Sequence, residues 1–385
     1  MELLRVQSIP LHSVILSSFL VLVAAASAVA DSPRLFTEAG PPIARFVAQA
    51  PAGGLEKIST ALADLLEASS ARCDLLLAER SDSEAFLANL SKRDVAHDRV
   101  NVIEAPEVTT AWPRDRFVAA RAGEGVALLH QPGRLRGELV TPLMLAERHE
   151  GWSTAPLPFF LEGGDLVVSE GFALIGPHSL GIARRDTGQY NEQLATAFQK
   201  TFGVQPILIT APRSGSTLEE DLDHHLDMAM TVLADGSVML ADVRWGERLA
   251  PPRLAELLKD DPDRRARGEA VTLRLEASRG ALAGKGLIVR RVPAYLIPGE
   301  TSVATYANVL QEVTPEGPVV YLPWHGLEAL DSAAAMVYRQ LGYEVRPINV
   351  RGFFRFGGSL RCIVNVVERR APTTDASAAS RTGAR

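Results

Sequence analysis

Four stretches of this 385-residue chain follow one plan, and that repetition constrains the fold more than any other feature. Each has an apolar or alternating run, a turn holding glycine, and a second apolar run. They are "DRFVAARAGEGVALLHQ" (115–131), "DLVVSEGFALIGP" (165–177), "DMAMTVLADGSVMLADV" (227–243) and "YANVLQEVTPEGPVVYLP" (306–323). Glycine beside Glu, Asp or Pro between strand formers predicts β-hairpins. Helical patterns follow: "NEQLATAFQKTFG" (191–203) leads into "VQPILIT", and "ALDSAAAMVYRQLGYE" (329–344) leads into "VRPINV". An earlier helix, 54–71, precedes the strand "CDLLLAE". The unit is hairpin, helix, strand. Its turn glycines recur at roughly 65-residue intervals, so about 340 residues hold five units. The expected fold is one α/β domain, 31–369, closed as a five-bladed propeller of hairpin–helix–strand repeats. A multilayer α/β domain whose hairpins match by chance is the alternative.

The two ends differ from this pattern. "VILSSFLVLVAAASAVA" (14–30) is apolar and uncharged, follows Arg5, and finishes in Ala28-Val29-Ala30. Residues 1–30 therefore read as a secretory signal peptide, with a secreted or periplasmic destination. Left uncleaved, the segment approaches the length of a membrane anchor; no later run is long enough to span. The ending, 370–385, has few apolar residues and reads as a disordered tail. A net charge of −6 with both signs interspersed excludes a nucleic-acid footprint. Arg264, Arg265 and Arg267, inside "KDDPDRRARGEA", read as a solvated loop. There are two cysteines, Cys73 and Cys362. One disulfide adds little to a core of this size, so Cys362 is expected to be free.

Polar residues stand where each hairpin begins. "TAWPRDRF" places Asp115, "FFLEGGDLVV" places Glu162 and Asp165, and "DLDHHLDMAM" places His225 and Asp227. Asn308 lies near the start of the fourth, and "RFGGSLRCIVNV" carries Cys362 into the closing strand. Equivalent positions in a ring of repeats face one axis, so these side chains are expected to converge. Taken singly, each fits a turn residue, a surface acid or a small buried thiol. Asp221, Asp223, His224, His225 and Asp227 fit a solvated loop or a set of metal ligands. His225 and Asp227, two apart on a strand, would share a face. Taken together, a cysteine, a histidine and several carboxylates are the ingredients of an activated thiol facing a cation.

The order and context of these residues resemble the guanidine-modifying enzymes of the pentein fold. That superfamily holds arginine and agmatine deiminases, dimethylarginine hydrolases, peptidylarginine deiminases and amidinotransferases. Its pattern is R-D, then E-G-G-[DN], then H-x-D, then a glycine-rich turn ending in the nucleophilic cysteine. The chain has Arg114-Asp115, Glu162-Gly163-Gly164-Asp165, His225-Leu226-Asp227 and Gly357-Gly358-Ser359-Leu360-Arg361-Cys362 in that order. The likeness covers roughly residues 40–370. It departs at Arg361, where the family often has histidine, and in "IVNVVERR", which differs from the usual ending of agmatine deiminases.

The resemblance implies a five-bladed α/β propeller with Cys362 as nucleophile, forming a covalent thiouronium intermediate. It implies His225 as proton donor and then activator of water, and Glu162 as the group that orients it. Asp115 and Asp227 would hold the substrate guanidinium, with Asp165 and Asn308 as further substrate contacts. Arg185, in "GIARRDTGQYN", stands where related enzymes place a carboxylate-binding arginine; it equally fits a surface helix entry. "RGFFRFGG" (351–358) forms either a wall over the pocket or part of the core. No metal or organic cofactor is required, and the partner is a small-molecule guanidine or an arginyl peptide. Three alternatives stay open: an amidinotransferase, a binding protein without chemistry, and a metal-dependent hydrolase built on "DLDHHLD".

Overall fold

The computed structural model describes residues 32–131, 139–210, 224–259, 261–297 and 303–370. The signal segment, residues 371–385, Asp221 and Asp223 lie outside them. All four glycine turns join antiparallel strands. Phe117–Ala122 pairs with Gly125–His130, and Leu166–Val168 with Phe172–Ile175. Met230–Val232 pairs with Val238–Asp242, and Leu310–Thr314 with Gly317–Trp324. After each pair the chain crosses through helix to a strand that runs parallel to the hairpin's second strand. Val140–Arg148 leads to Trp152–Pro156, Asn191–Phe202 to Gln205–Leu208, and Glu328–Gln340 to Glu344–Asn349.

A fifth sheet has the same build with its hairpin divided between the chain's two ends. Asn365–Arg369 lies antiparallel to Ile43–Ala50, and the helix Leu55–Ala68 carries the chain to the parallel strand Arg72–Leu77. No turn connects that antiparallel pair, which is why the hairpin pattern occurs four times in the sequence. The result is a mixed α/β fold with, among the described residues, five sheets of three or four strands each. Leu55, Ile58, Leu62, Leu65 and Leu66 line one face of their helix and are buried in one cluster with Phe46, Leu75, Val320 and Ile348. Each such leucine or isoleucine contributes about 1.5–3 kcal/mol of burial. Among the described residues no helix is long and apolar enough to cross a membrane.

The third unit corrects one expectation. Within "KDDPDRRARGEA" a 23-residue helix begins at Pro262 and runs to Gly284, so Arg264, Arg265 and Arg267 do not lie in a solvated loop. The Asp261 carboxylate caps it by accepting the Arg264 N–H at 2.9 Å, and Pro262 occupies the first turn, where no N–H is needed. Arg264 is only 3% exposed. The density of charge obscured a cap-and-proline start signal.

Candidate active site

Short helical turns, not loose loops, deliver the polar side chains to the starts of the first hairpin strands. The 3-10 turn Pro113–Asp115 immediately precedes Phe117–Ala122 and presents Asp115, whose Oδ1 accepts the Gly164 N–H at 3.3 Å. The 3-10 turn Gly163–Asp165 starts beside Glu162, whose Oε2 accepts from His225 Nε2 at 3.0 Å and from His178 Nε2 at 3.1 Å. His225 Nδ1 lies 3.8 Å from Asp115 Oδ1. Glycine is required here by space: a Cβ on Gly164 would lie 2.5 Å from His225 Nδ1 and 3.0 Å from Asp115 Oδ1.

His225 is the extended N-cap of the four-residue helical turn Leu226–Ala229. The shared strand face expected for His225 and Asp227 is thus replaced by a turn of helix that still brings both inward. Asp165 fastens this turn from beneath. Its Oδ1 accepts the Leu226 N–H at 3.0 Å, its Oδ2 accepts the Ser179 N–H, and it is fully buried. Asp165 was expected at the substrate; both of its oxygens are instead occupied by backbone amides.

Cys362 follows Gly357, which takes a left-handed φ of 86°, and Gly358, which packs under Trp112. A Cβ on Gly358 would lie 2.5 Å from Trp112 Cζ3. The preceding phenylalanines differ in burial. Phe353 and Phe354 are core, while Phe356 is 55% exposed beneath the Lys57 ammonium at 4.2 Å. The Cys362 thiol is 6% exposed, accepts the Asn308 Nδ2–H at 3.4 Å and lies 3.8 Å from Met228 Sδ. Asn308 Oδ1 accepts the Arg361 N–H at 2.7 Å. Asn308, expected among the substrate contacts, grips the nucleophile and its turn. Both cysteines are free, and Cys73 is a buried hydrophobe in Arg72–Leu77.

Arg361 occupies the position where histidine is usual, and its surroundings explain the difference. At 1% exposure, all five of its guanidinium N–H groups have acceptors. Nε and Nη2 donate to Glu38 at 2.9 and 2.6 Å, and Nη2 also donates to the Leu166 carbonyl at 2.7 Å. Nη1 donates to Asp227 Oδ2 at 2.6 Å and to the Gly163 carbonyl at 3.3 Å. Asp227 Oδ1 is buried with no hydrogen-bond partner among the described residues. Glu38 sits in "FTEAG", where no local pattern singles it out, and His178 and Trp112 were also missed. For Trp112 the signal was its place in "TAWPRD", beside the R-D pair. Arg185 stands exposed on the π-helical turn Ala183–Thr187.

Burial opposes charge on His225, but Asp115, the Glu162 bond, Asp165 and Asp227 outweigh it and push the imidazole up to about 10. Burial raises Glu162, yet its bonds from His178 and His225 hold it well below the usual carboxylate range. Asp115 is raised, first by burial and then by Glu162 and Asp227 against the pull of His225. Burial, then Asp227 and Asp115, pushes the Cys362 thiol well up. The resting site therefore holds a neutral thiol and an imidazolium among carboxylates, one of which has an unpaired oxygen. A planar cation is what such a site accommodates.

The family profile of Porphyromonas-type peptidyl-arginine deiminases matches residues 49–366. The chain belongs to that family. Its fold is that of the pentein guanidine-modifying enzymes, of the deiminase type. Agmatine deiminase of C. jejuni is 17% identical with a TM-score of 0.64, covering 86% of this chain and 95% of that one. Agmatine deiminase of Enterococcus faecalis is 16% identical with a TM-score of 0.64, covering 89% and 98%. A crystal structure described as a putative peptidyl-arginine deiminase is 15% identical with a TM-score of 0.62, covering 87% and 98%. No curated protein matches the sequence significantly.

Proposed function

We propose that this protein is a hydrolase that cleaves a C–N bond of the guanidinium group of arginine or an arginine derivative. The products are a ureido compound and ammonia or an amine. The observation that carries this reading is the buried, unpaired Asp227 Oδ1 in the same cluster as Asp115, Cys362 and the Glu162–His225 pair. A guanidinium stays charged, with a pKa above about 12, so its central carbon is a poor electrophile until it is held and attacked from one face. Asp115 and Asp227 hold it. Its positive charge cancels the effect of those same carboxylates on the thiol, and Cys362 loses its proton to solvent.

The thiolate then forms a C–S bond to the central carbon. His225, held as an imidazolium by Glu162, gives its proton to the departing nitrogen as the C–N bond breaks. The remaining thiouronium is attacked by water, whose proton passes to the now neutral His225. The C–S bond breaks, the thiolate leaves, and the ureido product is released. Asp165 and Asn308 keep His225 and Cys362 in place. Five sheets of one build among the described residues, with the last strand paired to Ile43–Ala50 near the start of the chain, support a five-bladed propeller whose inner strand entrances surround this site. The apolar run 14–30 with its Ala-Val-Ala ending supports export of the chain.

The test is ureido-product formation from arginine, agmatine, methylarginines and an arginyl peptide, comparing wild type with Cys362→Ala. Turnover of one class without an added amine, abolished by the substitution, is the expected result. Turnover that requires an amine acceptor would instead identify an amidinotransferase, and no product from any of them overturns the reading. Substrate-assisted activation has its own check: the pH profile of Cys362 alkylation shifts down when a guanidinium analogue is bound.

A further inference from the structure

We propose that His178, His224 and His225, with Glu162, form a site for a borderline transition-metal ion such as Zn2+, and that its occupancy silences the active site. His178 lies on the short helix Pro177–Ile182, while His224 and His225 are adjacent in the segment leading into Leu226–Ala229. One nitrogen from each of the three rings lies within 4.8 Å of the others. The ring centroids are 4.4 Å apart for His178 and His224, 4.5 Å for His224 and His225, and 5.5 Å for His178 and His225. Glu162 Oε2 touches two of these rings, at 3.1 and 3.0 Å. All three histidines are half-buried, open enough for an ion to enter.

Three imidazoles and a carboxylate suit Zn2+, Co2+ or Ni2+. With Zn–N bonds of about 2.0–2.1 Å, tetrahedral donor atoms are about 3.4 Å apart, so these nitrogens need to close by about 1.5 Å at most. Rotation of half-buried rings supplies such a movement. Asp115, Asp165 and Asp227 provide the negative surroundings that draw a cation in. The proposed reaction uses His225 and Glu162 but gives His178 and His224 no step. A metal ion held by all four displaces the His225 imidazolium proton to solvent and so removes the proton donor and its orienting carboxylate together. The inhibition rests on the proposed function; the binding does not. Cys362 is absent from the ligand set, which separates this site from a thiolate trap.

The experiment begins with purified protein stripped of metal by chelator and dialysis, then titrated with Zn2+ by calorimetry and with Co2+ by absorption. One ion per chain is expected, with tetrahedral Co2+ bands and no thiolate charge-transfer band. Cys362→Ala should bind equally well, while His224→Gln should weaken Zn2+ binding by at least about 10-fold. His178→Gln, scored by binding alone after its fold is verified by circular dichroism, gives a second reading. Zn2+ should inhibit turnover reversibly, and relative to its own metal-free rate His224→Gln should need about 10-fold more. No binding up to millimolar metal overturns the proposal, as does loss of binding in Cys362→Ala with retention in His224→Gln. Stoichiometric binding in a chain that turns over no guanidine would sustain the site and reject the functional reading.

Discussion

Replacing Arg361 with methionine removes a buried cation while leaving its two carboxylate partners in place. Glu38 and Asp227 each take charged hydrogen bonds from it at 2.6 Å, and the Leu166 and Gly163 carbonyls lose a donor as well. Deleting a whole buried ion cluster can be neutral, but deleting one partner strands the others and costs about 3–5 kcal/mol. Arg114, 3.6 Å from Glu38, offers partial relief, since its own charge is disfavoured by burial and by Arg361. An unfolding entropy of about 2.1 cal/mol/K per residue gives about 0.7 kcal/mol/K for the roughly 340 residues of the folded domain, so Tm should fall by about 4–7 °C. Scanning calorimetry measures this directly. Arg361→Lys keeps the charge but offers three donors without a planar fork, so its loss should be intermediate. Adding Glu38→Gln to the methionine variant should recover part of the loss, a coupling of about 1 kcal/mol or more. A methionine variant melting within about 1 °C of wild type, or simple additivity with Glu38→Gln, would refute the idea that Arg361 ties the centre together.

Three further outcomes are expected. Gly164→Ala forces a Cβ against His225 and Asp115, and a displacement of about 1 Å should lower kcat/KM on the order of 100-fold with a smaller change in Tm. His225 has a folded value of about 10, above its ordinary 6.5, so its contribution is complete below pH 6.5 and is lost as pH rises toward 10. Urea melts over that range should show a declining stability that His225→Asn flattens; equal slopes would count against the assignment. His325 is the reverse case. Burial holds it down to about 3, and neither ring nitrogen has a hydrogen-bond partner among the described residues. Its neutral form is favoured in the fold, so stability falls as pH drops below 6.5, by about 2 kcal/mol at pH 5. His325→Leu should remove that acid lability and match wild type at pH 7.5, which melts at the two pH values would decide.

The four hairpins, the helices at 54–71, 191–203 and 329–344, and the order Asp115, Glu162, His225, Asp227, Cys362 were legible because each rests on local chemistry. A glycine turn, a helical period and a Gly-Gly pair are properties of neighbouring residues. The fifth sheet was not legible as a hairpin, because its antiparallel partners, Val47 and Asn365, come from opposite ends of the chain. The helix at Pro262 was within reach: Asp261 and Pro262 mark its start, but the arginines around them outweighed that signal in the reading.

Inside the site the division is sharper. The thiol, the imidazole and the carboxylates were selected by their place at the hairpin mouths and by an order that resembles that of the guanidine-modifying enzymes. Which carboxylate meets which donor was decided by packing across units. Asp165 turned to the amides of Ser179 and Leu226, Asn308 turned to Cys362, and Glu38 came from the N-terminal segment to meet Arg361. A buried charge must find its partner wherever the fold places one. That partner lies across the sheets, hundreds of residues away for Glu38 and Arg361, where no local pattern points to it.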